Sequence, residues 1–345
     1  MITYIKSNKY KVVNMKEEIL SRIQKKFPLV AKPFKVIADE LNTTEDEVLK
    51  ILNEQKKENI IRQTSAIFDT KRLGYKSSLV AFKIQKEKID EAVKIINSHP
   101  GVSHNYERNH EFNIWFTMAV APDSKLGLDK TIEILSELTK ADDYIMLPTL
   151  KLFKINVKLN TTGKDEKKEK VKKVIHKDIE LSELHHQIIQ KVQYDIKFVS
   201  EPFLEIINEL DIDYNTFFKI LAELQESGMM RRFASILNHR KAGFNANAMV
   251  VWDVDEKDGE SIGERAASFS AVSHCYLRPK YKNWPYNLFT MVHGKTTDET
   301  NGIIEDMSKE IPSKSYMPLY SSREFKKVRI EYFTKSFDEW EENHK

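Results

Sequence analysis

The chain has 345 residues, 41% hydrophobic and 31% charged, and carries a net charge of +3, with seven lysines in the stretch 164–177 alone. That balance fits a globular protein of two or more domains; it excludes a chain held to nucleic acid by bulk charge, and no run approaches the ~18 apolar residues that a membrane span needs. Cys275 is the sole cysteine, which excludes an intrachain disulfide framework and a cysteine-rich metal site.

The opening stretch MITYIKSNKYKVVNMKEE is charged and lacks the apolar core of a signal peptide, so a cytoplasmic location is expected. Next, Phe34, Ile37 and Leu41, then Val48, Ile51 and Leu52, recur at helical spacing. Between the two runs lies NTTEDE, where Thr44 followed by Glu47 is a capping-box signal. Two short helices joined by a tight turn predict a helix-turn-helix over 15–62. The period then changes. IIRQTSAIF, SSLVAFKI, GVSHNYER, FNIWFTMAV and YIMLPTLKLFKINV read as strands, with the helices KEKIDEAVKIINSH and KLGLDKTIEILSELT between them. This predicts a β-hairpin lead-in and a ferredoxin-like βαββαβ unit over 63–159. The stretch 160–178, NTTGKDEKKEKVKKVIHKD, reads as a solvated charged linker.

The pattern then starts again. Residues 33–62 align without a gap to 202–231, with Pro33/Pro202, Phe34/Phe203, Leu41/Leu210, Leu52/Leu221 and Arg62/Arg231 among the identities. The register continues through Ile67/Ile236 and Gly74/Gly243, and VSHNYER at 102–108 matches VSHCYLR at 272–278. Asn113 and Thr117 correspond to Asn287 and Met291 across a longer turn, and Met146-Leu147-Pro148 is paired with Tyr316-Met317-Pro318. A period of about 170 residues is too long for a solenoid. The fold class is α+β: two tandem copies of a winged helix-turn-helix followed by a ferredoxin-like domain, the second copy taking 179–231 and 232–335. The tail FTKSFDEWEENHK is a short amphipathic extension.

This layout resembles the Lrp/AsnC transcription regulators, which implies DNA binding. The residues disfavour it. The second helix of a DNA-reading helix-turn-helix meets base edges with its N-terminal residues. Here these are Thr44-Glu45-Asp46-Glu47, and in the second copy Asp213-Tyr214-Asn215-Thr216. Carboxylates suit the helix dipole but repel phosphate. The helices are expected to act as a packing or dimer scaffold.

The strand GVSHNYER points elsewhere. By alternation Val102, His104, Tyr106, Arg108 and His110 share one face, and Val272, His274, Tyr276 and Arg278 repeat the order. The following strands carry Asn113, Trp115 and Thr117, and Asn287, Phe289, Met291 and His293. The turn YKNWPYN adds Tyr281, Trp284 and Tyr286. A lone strand histidine or a tryptophan is more often structural than functional; four polar types at strand spacing, twice, shift that balance. Arginine binds carboxylates bidentately, aromatic rings suit a flat apolar ligand, and histidine binds iron or moves protons near neutral pH. A flat ring rimmed with carboxylates, with or without a metal, is a tetrapyrrole. Cys275 falls on the opposite parity and is expected in the core.

The segments VSHNYERNHEFNIWFT and VSHCYLRPKYKNWPYNLFTMVHG resemble the signature segments of the siroheme decarboxylases, a family of Lrp/AsnC-type architecture that normally uses two related subunits. The chain resembles a natural fusion of both. The resemblance implies loss of carbon dioxide from the C12 and C18 acetates of siroheme, giving 12,18-didecarboxysiroheme for heme d1 or siroheme-dependent heme formation. It implies no organic cofactor, since the macrocycle itself can serve as electron sink, and iron enters with the substrate. The partners are siroheme and related iron tetrapyrroles, neither DNA nor membrane, with an internal pseudo-dimer and further homo-oligomerisation left open. A methylene carbon that has lost carbon dioxide needs a proton, a task for histidine. His104 and His110 are the expected acids, with the His274 pocket left open. Tyr106, Arg108, Asn113, Trp115, Arg62, His274, Tyr276, Arg278, Trp284, Tyr286 and Asn287 are the expected substrate contacts, and His104 or His274 is a candidate axial ligand of the substrate's iron. The alternatives are a tetrapyrrole sensor and an Lrp/AsnC-type regulator.

Overall fold

The structure, a computed structural model, describes residues 15–155, 177–237 and 246–344. All but the last two residues of the linker 160–178 lie outside them. In chain order the elements are a helix over 15–25 (α1), α2 (Pro33–Glu40), α3 (Glu45–Lys57), β1 (Ile61–Phe68), β2 (Lys76–Lys83), α4 (Ile89–Ser98), β3 (Val102–Arg108), β4 (Ile114–Val120), α5 (Gly127–Thr139), β5 (Asp143–Leu147) and β6 (Lys151–Ile155). They continue with α6 (Glu183–Val192), α7 (Leu204–Glu209), α8 (Tyr214–Glu226), β7 (Met230–Leu237), β8 (Ala246–Asp253), α9 (Gly259–Ser268), β9 (Val272–Leu277), β10 (Leu288–Gly294), α10 (Thr297–Glu310), β11 (Ser315–Lys327) and α11 (Ser336–Asn343). Among the described residues no helix is long and apolar enough to cross a membrane.

The described chain divides into two units that cut across the repeat. One holds residues 15–74, 177–237 and Glu331–Thr334; the other holds 75–155, 246–330 and 335–344.

The first unit contains both helix-turn-helices. Thr44 caps α3 by accepting from the Glu47 amide, and Asp213 caps α8 by accepting from the Thr216 amide at 2.6 Å. The tight turns before them place Asn42 at φ 53° and Asp211 at φ 52°, the left-handed region that short polar side chains tolerate. Among the described residues the expected β-hairpin lead-in does not form. β1 pairs antiparallel with β7 of the other copy, with the Thr64 and Ser235 hydroxyls bonded at 2.6 Å in its buried centre. Phe27 packs on Phe233 at 5.1 Å and Phe34 on Phe198 at 5.7 Å, so both copies share one core. Each such ring stabilises the unit by about 1.5–3 kcal/mol relative to exposure.

The second unit is a nine-stranded sheet in the order β5-β2-β4-β3-β11-β8-β10-β9-β6. In the first copy α4 and α5 cover one face through Phe82, Ile96, Val102, Phe116 and Leu135. In the second, α9 and α10 do the same through Trp252, Ala266, Val272, Val292 and Met307. The uncovered faces meet: Ala81, Trp115 and Leu147 pack with Val251, Trp284 and Leu319. The Trp115 and Trp284 rings lie 5.3 Å apart. The last strand of each copy serves both halves. β11 pairs with β8 through Ser315–Tyr320 and then with β3 through Ser321–Lys327. Its counterpart is interrupted at Pro148, which has no N–H to donate, into β5 on β2 and β6 on β9. Leu147 stands opposite Leu79, and Leu319 opposite Met249. Leu147 therefore corresponds to Leu319, two residues beyond the Met317 that the sequence alignment gave it. α11 docks its Trp340 on the helix-covered core of the first copy.

Candidate active site

Both polar strands begin with a bulge. Val102 stands opposite Met118 but His104 opposite Thr117, and Val272 opposite Val292 but His274 opposite Met291. The extra residue is a serine each time, Ser103 and Ser273, and it reverses the side on which the following residues stand. Val102 and Val272 therefore join the helix-covered cores. Strict alternation had placed them beside the histidines. His104 and Tyr106, and His274 and Tyr276, turn toward the face between the two halves, opposite Thr117 and Trp115, and Met291 and Phe289.

In the first copy His104 Nδ1 meets Ser103 Oγ at 3.0 Å, and that hydroxyl meets Thr117 Oγ1 at 2.7 Å. His104 stacks on Tyr106 with centroids 6.3 Å apart. Opposite them β11 supplies Lys327 and Glu324. Burial first, then Glu324, pushes the Tyr106 phenol up to about 12. Burial, then Lys327, lowers His104. In the second copy His274 Nδ1 meets Ser273 Oγ at 2.7 Å and stacks on Tyr276 at 6.2 Å. Here β6 stands opposite, with Ile155 across from His274 and Leu152 across from Tyr276. These apolar side chains are 41% and 45% exposed. Burial lowers His274, followed by the charges of His293 and then His104.

Each copy also buries an arginine that reaches into the other. Arg108 donates from Nη1 to the Leu319 carbonyl at 2.8 Å, and Arg278 donates from Nη1 to the Leu147 carbonyl. Arg108 is 7% and Arg278 8% exposed, and the Nε of each has no partner. Each guanidinium lies by the tyrosine of its own strand, 5.6 Å from the Tyr106 centroid and 4.9 Å from that of Tyr276. Burial pushes both down to about 10. Among the described residues neither has a carboxylate in an ion pair with it, and a buried cation without an anion is costly.

Several expected contacts have partners within the fold. Asn113 clips the end of β2, accepting from the Ile84 amide at 2.9 Å and donating to its carbonyl at 2.7 Å. Asn287 accepts from the Val254 amide at 3.0 Å in the same way. Trp115 and Trp284 are 1% exposed, and Trp115 donates to the Phe112 carbonyl at 2.6 Å, so neither ring is a free platform. Tyr286 packs on Trp284 at 5.1 Å, and the Tyr281 hydroxyl donates to the Met146 carbonyl. His110 sits in the turn after β3. Its Nδ1 accepts from the Phe112 amide at 3.0 Å and its ring meets Trp284 at 5.4 Å. Among the described residues no hydrogen bond or ring contact joins it to His104. Arg62 is exposed and lies in the helix-turn-helix unit, as does Arg231, which pairs with Asp69 at 2.8 Å. Cys275 is buried, its thiol pushed up to about 12 by burial.

Sequence reasoning missed Ser103, Ser273, Asn247, Glu324, Lys327, Leu152 and Ile155. Only the serines carried a signal, the VSH repeated in both copies. The others arrive from neighbouring strands whose pairing is not local. A separate cleft of about 420 Å³ is lined by Asp129, Asp143, Tyr281 and Asn283, and its acidic rim opposes an anionic ring. Among the described residues no group of three His, Cys, Asp or Glu side chains could hold a metal ion.

Paired helix-turn-helices with one core, and two ferredoxin-like halves with a shared polar seam, define a tandem Lrp/AsnC-type ligand-binding protein. The family description AsnC-like ligand binding domain matches residues 72–154 and 241–326, and Siroheme decarboxylase NirDL-like HTH domain matches 16–62. The chain belongs to the siroheme decarboxylase family. It is 40% identical to a siroheme decarboxylase of Hydrogenobacter thermophilus over 94% of this chain and 96% of that one. It is 39% identical to a siroheme decarboxylase beta subunit of Methanosarcina barkeri, over 42% of this chain and 95% of the subunit. The crystal structure of the siroheme decarboxylase NirDL in co-complex with an iron-uroporphyrin III analogue superposes with a TM-score of 0.79 at 35% identity, covering 95% of this chain and 98% of that one.

Proposed function

We propose that this chain removes carbon dioxide from the two acetate groups on rings C and D of siroheme, giving 12,18-didecarboxysiroheme, with the ring held at the seam between the two ferredoxin-like halves. The observation that carries this reading is the pair of buried guanidiniums, Arg108 and Arg278, each with an unpaired Nε–H and no carboxylate beside it. A polycarboxylate ligand supplies the missing anions. Each bound carboxylate is then fixed in orientation before the carbon–carbon bond breaks. Iron is part of the substrate, and the conjugated ring accepts the electron pair released at the methylene carbon.

The remaining task is a proton for that carbon. His104 and His274, one from each half, face the same seam, and we assign both to proton delivery rather than to iron. Burial keeps each below the usual histidine range, so its protonated form is a stronger acid than free imidazole. Two decarboxylations on one ring are served by two imidazoles from opposite sides. His110, held in its turn by Phe112 and Trp284, supports the hairpin. The helix-turn-helices serve as scaffold: the first turn of α3 presents Glu45, Asp46 and Glu47. A cytoplasmic location belongs to the same reading, supported by the single buried thiol of Cys275.

Anaerobic incubation with siroheme, followed by product mass, tests the proposal. Loss of two carbon dioxide masses is expected. A ring recovered unchanged, bound or free, would leave a tetrapyrrole-binding protein without this activity.

A further inference from the structure

The second copy carries a continuous chain of hydrogen bonds that the first lacks. Starting at the seam, His274 Nδ1 meets Ser273 Oγ at 2.7 Å. Ser273 Oγ meets His293 Nε2 at 2.5 Å, and His293 Nδ1 meets Oδ1 of the exposed Asn247 at 2.7 Å. Adjacent register holds it together, since His293 on β10 stands opposite Asn247 on β8. The bulge on β9 delivers Ser273 between the two rings. In the first copy Ser103 ends on the Thr117 hydroxyl, and Ala119 occupies the strand position two residues on.

The donors and acceptors fix where the hydrogens lie. An amide oxygen only accepts, so His293 Nδ1 carries hydrogen. A neutral His293 then offers a lone pair at Nε2, and Ser273 donates to it. The Ser273 oxygen in turn accepts from His274 Nδ1–H. In this neutral chain His274 shows the seam a bare Nε2. One added proton reverses the order. His293 then carries hydrogen on both nitrogens and donates from Nε2 to Ser273, Ser273 donates to His274 Nδ1, and His274 holds its hydrogen on Nε2.

We propose that Ser273 and His293 are the proton-holding partners of His274, with the positive charge kept on His293 at the outer end while the hydrogen leaves from Nε2 of His274 at the seam. The balance closes. As the His274 Nε2 hydrogen bonds to the substrate carbon, the Ser273 hydrogen moves to His274 Nδ1 and the His293 Nε2 hydrogen moves to Ser273. His293 ends neutral, and uptake of one proton from water restores the cationic chain. His293 does not touch the substrate; it acts through His274. The groups facing the chain are Asn247 on β8, Ile155 on β6 and His104, whose charge reaches His274. Among the described residues the histidines found in ion pairs are His185 and His186, so no carboxylate neutralises His293 or His274 by an ion pair.

This inference rests on the siroheme reading, and its test has one arm that does not. Ser273→Ala removes the linking oxygen and keeps both imidazoles; His293→Gln keeps a polar group and removes the second titrating ring. Each is expected to slow decarboxylation by about 10–10²-fold, less than the roughly 10²–10⁴-fold worth of the positioned acid itself, and to shift the pH–rate profile to lower pH, because His274 must then hold the charge itself. The independent arm is ¹⁵N NMR of histidine-labelled protein without ligand, where His274 is expected as the Nδ1–H tautomer in the neutral chain and as a mixture in Ser273→Ala. An Nε2–H tautomer for His274 in the neutral protein, or parental rate and pH profile in both variants, would overturn the proposal. Absence of carbon dioxide release by the parent protein would instead remove the siroheme reading, and the tautomer spectra would still decide the chain.

Discussion

Arg108 donates from Nη1 to the main-chain carbonyl of Leu319 at 2.8 Å, in the other copy of the repeat, and Arg278 returns the bond to Leu147. The two bonds tie the halves together where each final strand still pairs within its own copy. They use one N–H of each guanidinium and leave Nε unpaired. An arginine with no role beyond joining the halves would not need that second donor in a buried site.

Arg108→Lys and Arg278→Lys test whether the second donor holds a carboxylate. A lysine reaching the carbonyl presents no rigid second N–H. Binding of an iron-uroporphyrin ring, followed by its Soret band, is expected to weaken by about 1.5–3 kcal/mol per site, the worth of a hydrogen bond to a charged group. Urea denaturation of the same variants separates lost binding from lost folding. Unchanged affinity in both would make the arginines purely structural.

His104→Ala and His274→Ala are each expected to slow product formation by about 10²–10⁴-fold, the usual effect of removing a positioned acid. With one imidazole left, a ring that has lost a single carbon dioxide should accumulate, visible by mass. His110→Ala, in the turn against Trp284, should lower stability more than rate. Full activity in both His104→Ala and His274→Ala would move the proton source to tyrosine or water.

Acid sensitivity should trace in part to His99. It is buried, its Nδ1 accepts from the Gly101 amide at 2.9 Å, and Trp340 lies 4.5 Å from its ring. Burial, then Lys326, pushes it down to about 3. Between the ordinary value of 6.5 and about 3 the unfolded chain binds a proton that the folded chain does not, so its contribution destabilises the fold progressively as pH falls through that window. Urea midpoints measured across it should fall less steeply in His99→Gln, which does not titrate. Parallel curves would remove His99 from the acid response.

Gly101 precedes the first polar strand, and a Cβ there would sit 1.7 Å from the Ala119 carbonyl oxygen. Gly101→Ala is expected to destabilise by at least about 1–3 kcal/mol as the strands are forced apart. Gly302→Ala, with nothing within 4 Å, should instead be neutral or stabilising by up to about 1 kcal/mol in its helix. Thermal melts of the pair decide it, and equal melting points would contradict the contact.

Cutting the chain between residues 163 and 173 should leave the two copies associated. The cut touches none of the named strands, whereas β1 with β7, β3 with β11 and β9 with β6 each join one copy to the other. Sizing chromatography should show both pieces in one peak; clean separation would count against this strand exchange.

The sequence by itself carried the repeat, the element types and the chemistry of the polar strands, because these depend on local spacing. Helical and strand periods, the Thr44 cap and the twice-written His-Tyr-Arg order are all written within a few residues. It could not show that Ser103 and Ser273 bulge, since a bulge is defined against a partner strand, and so Val102 and Val272 were placed on the wrong face. Trp115, Trp284, Asn113 and Asn287 look like ligand groups in a strand of unknown surroundings and become core and clips once the opposite sheet arrives. Glu324 beside Tyr106 and Leu152 beside Tyr276 were decided by tertiary structure alone. Each comes from a different strand, brought beside the polar strands by pairing that no local rule encodes. The same pairing distinguishes the two halves, setting Glu324 and Lys327 of β11 against the first polar strand and Leu152 and Ile155 of β6 against the second.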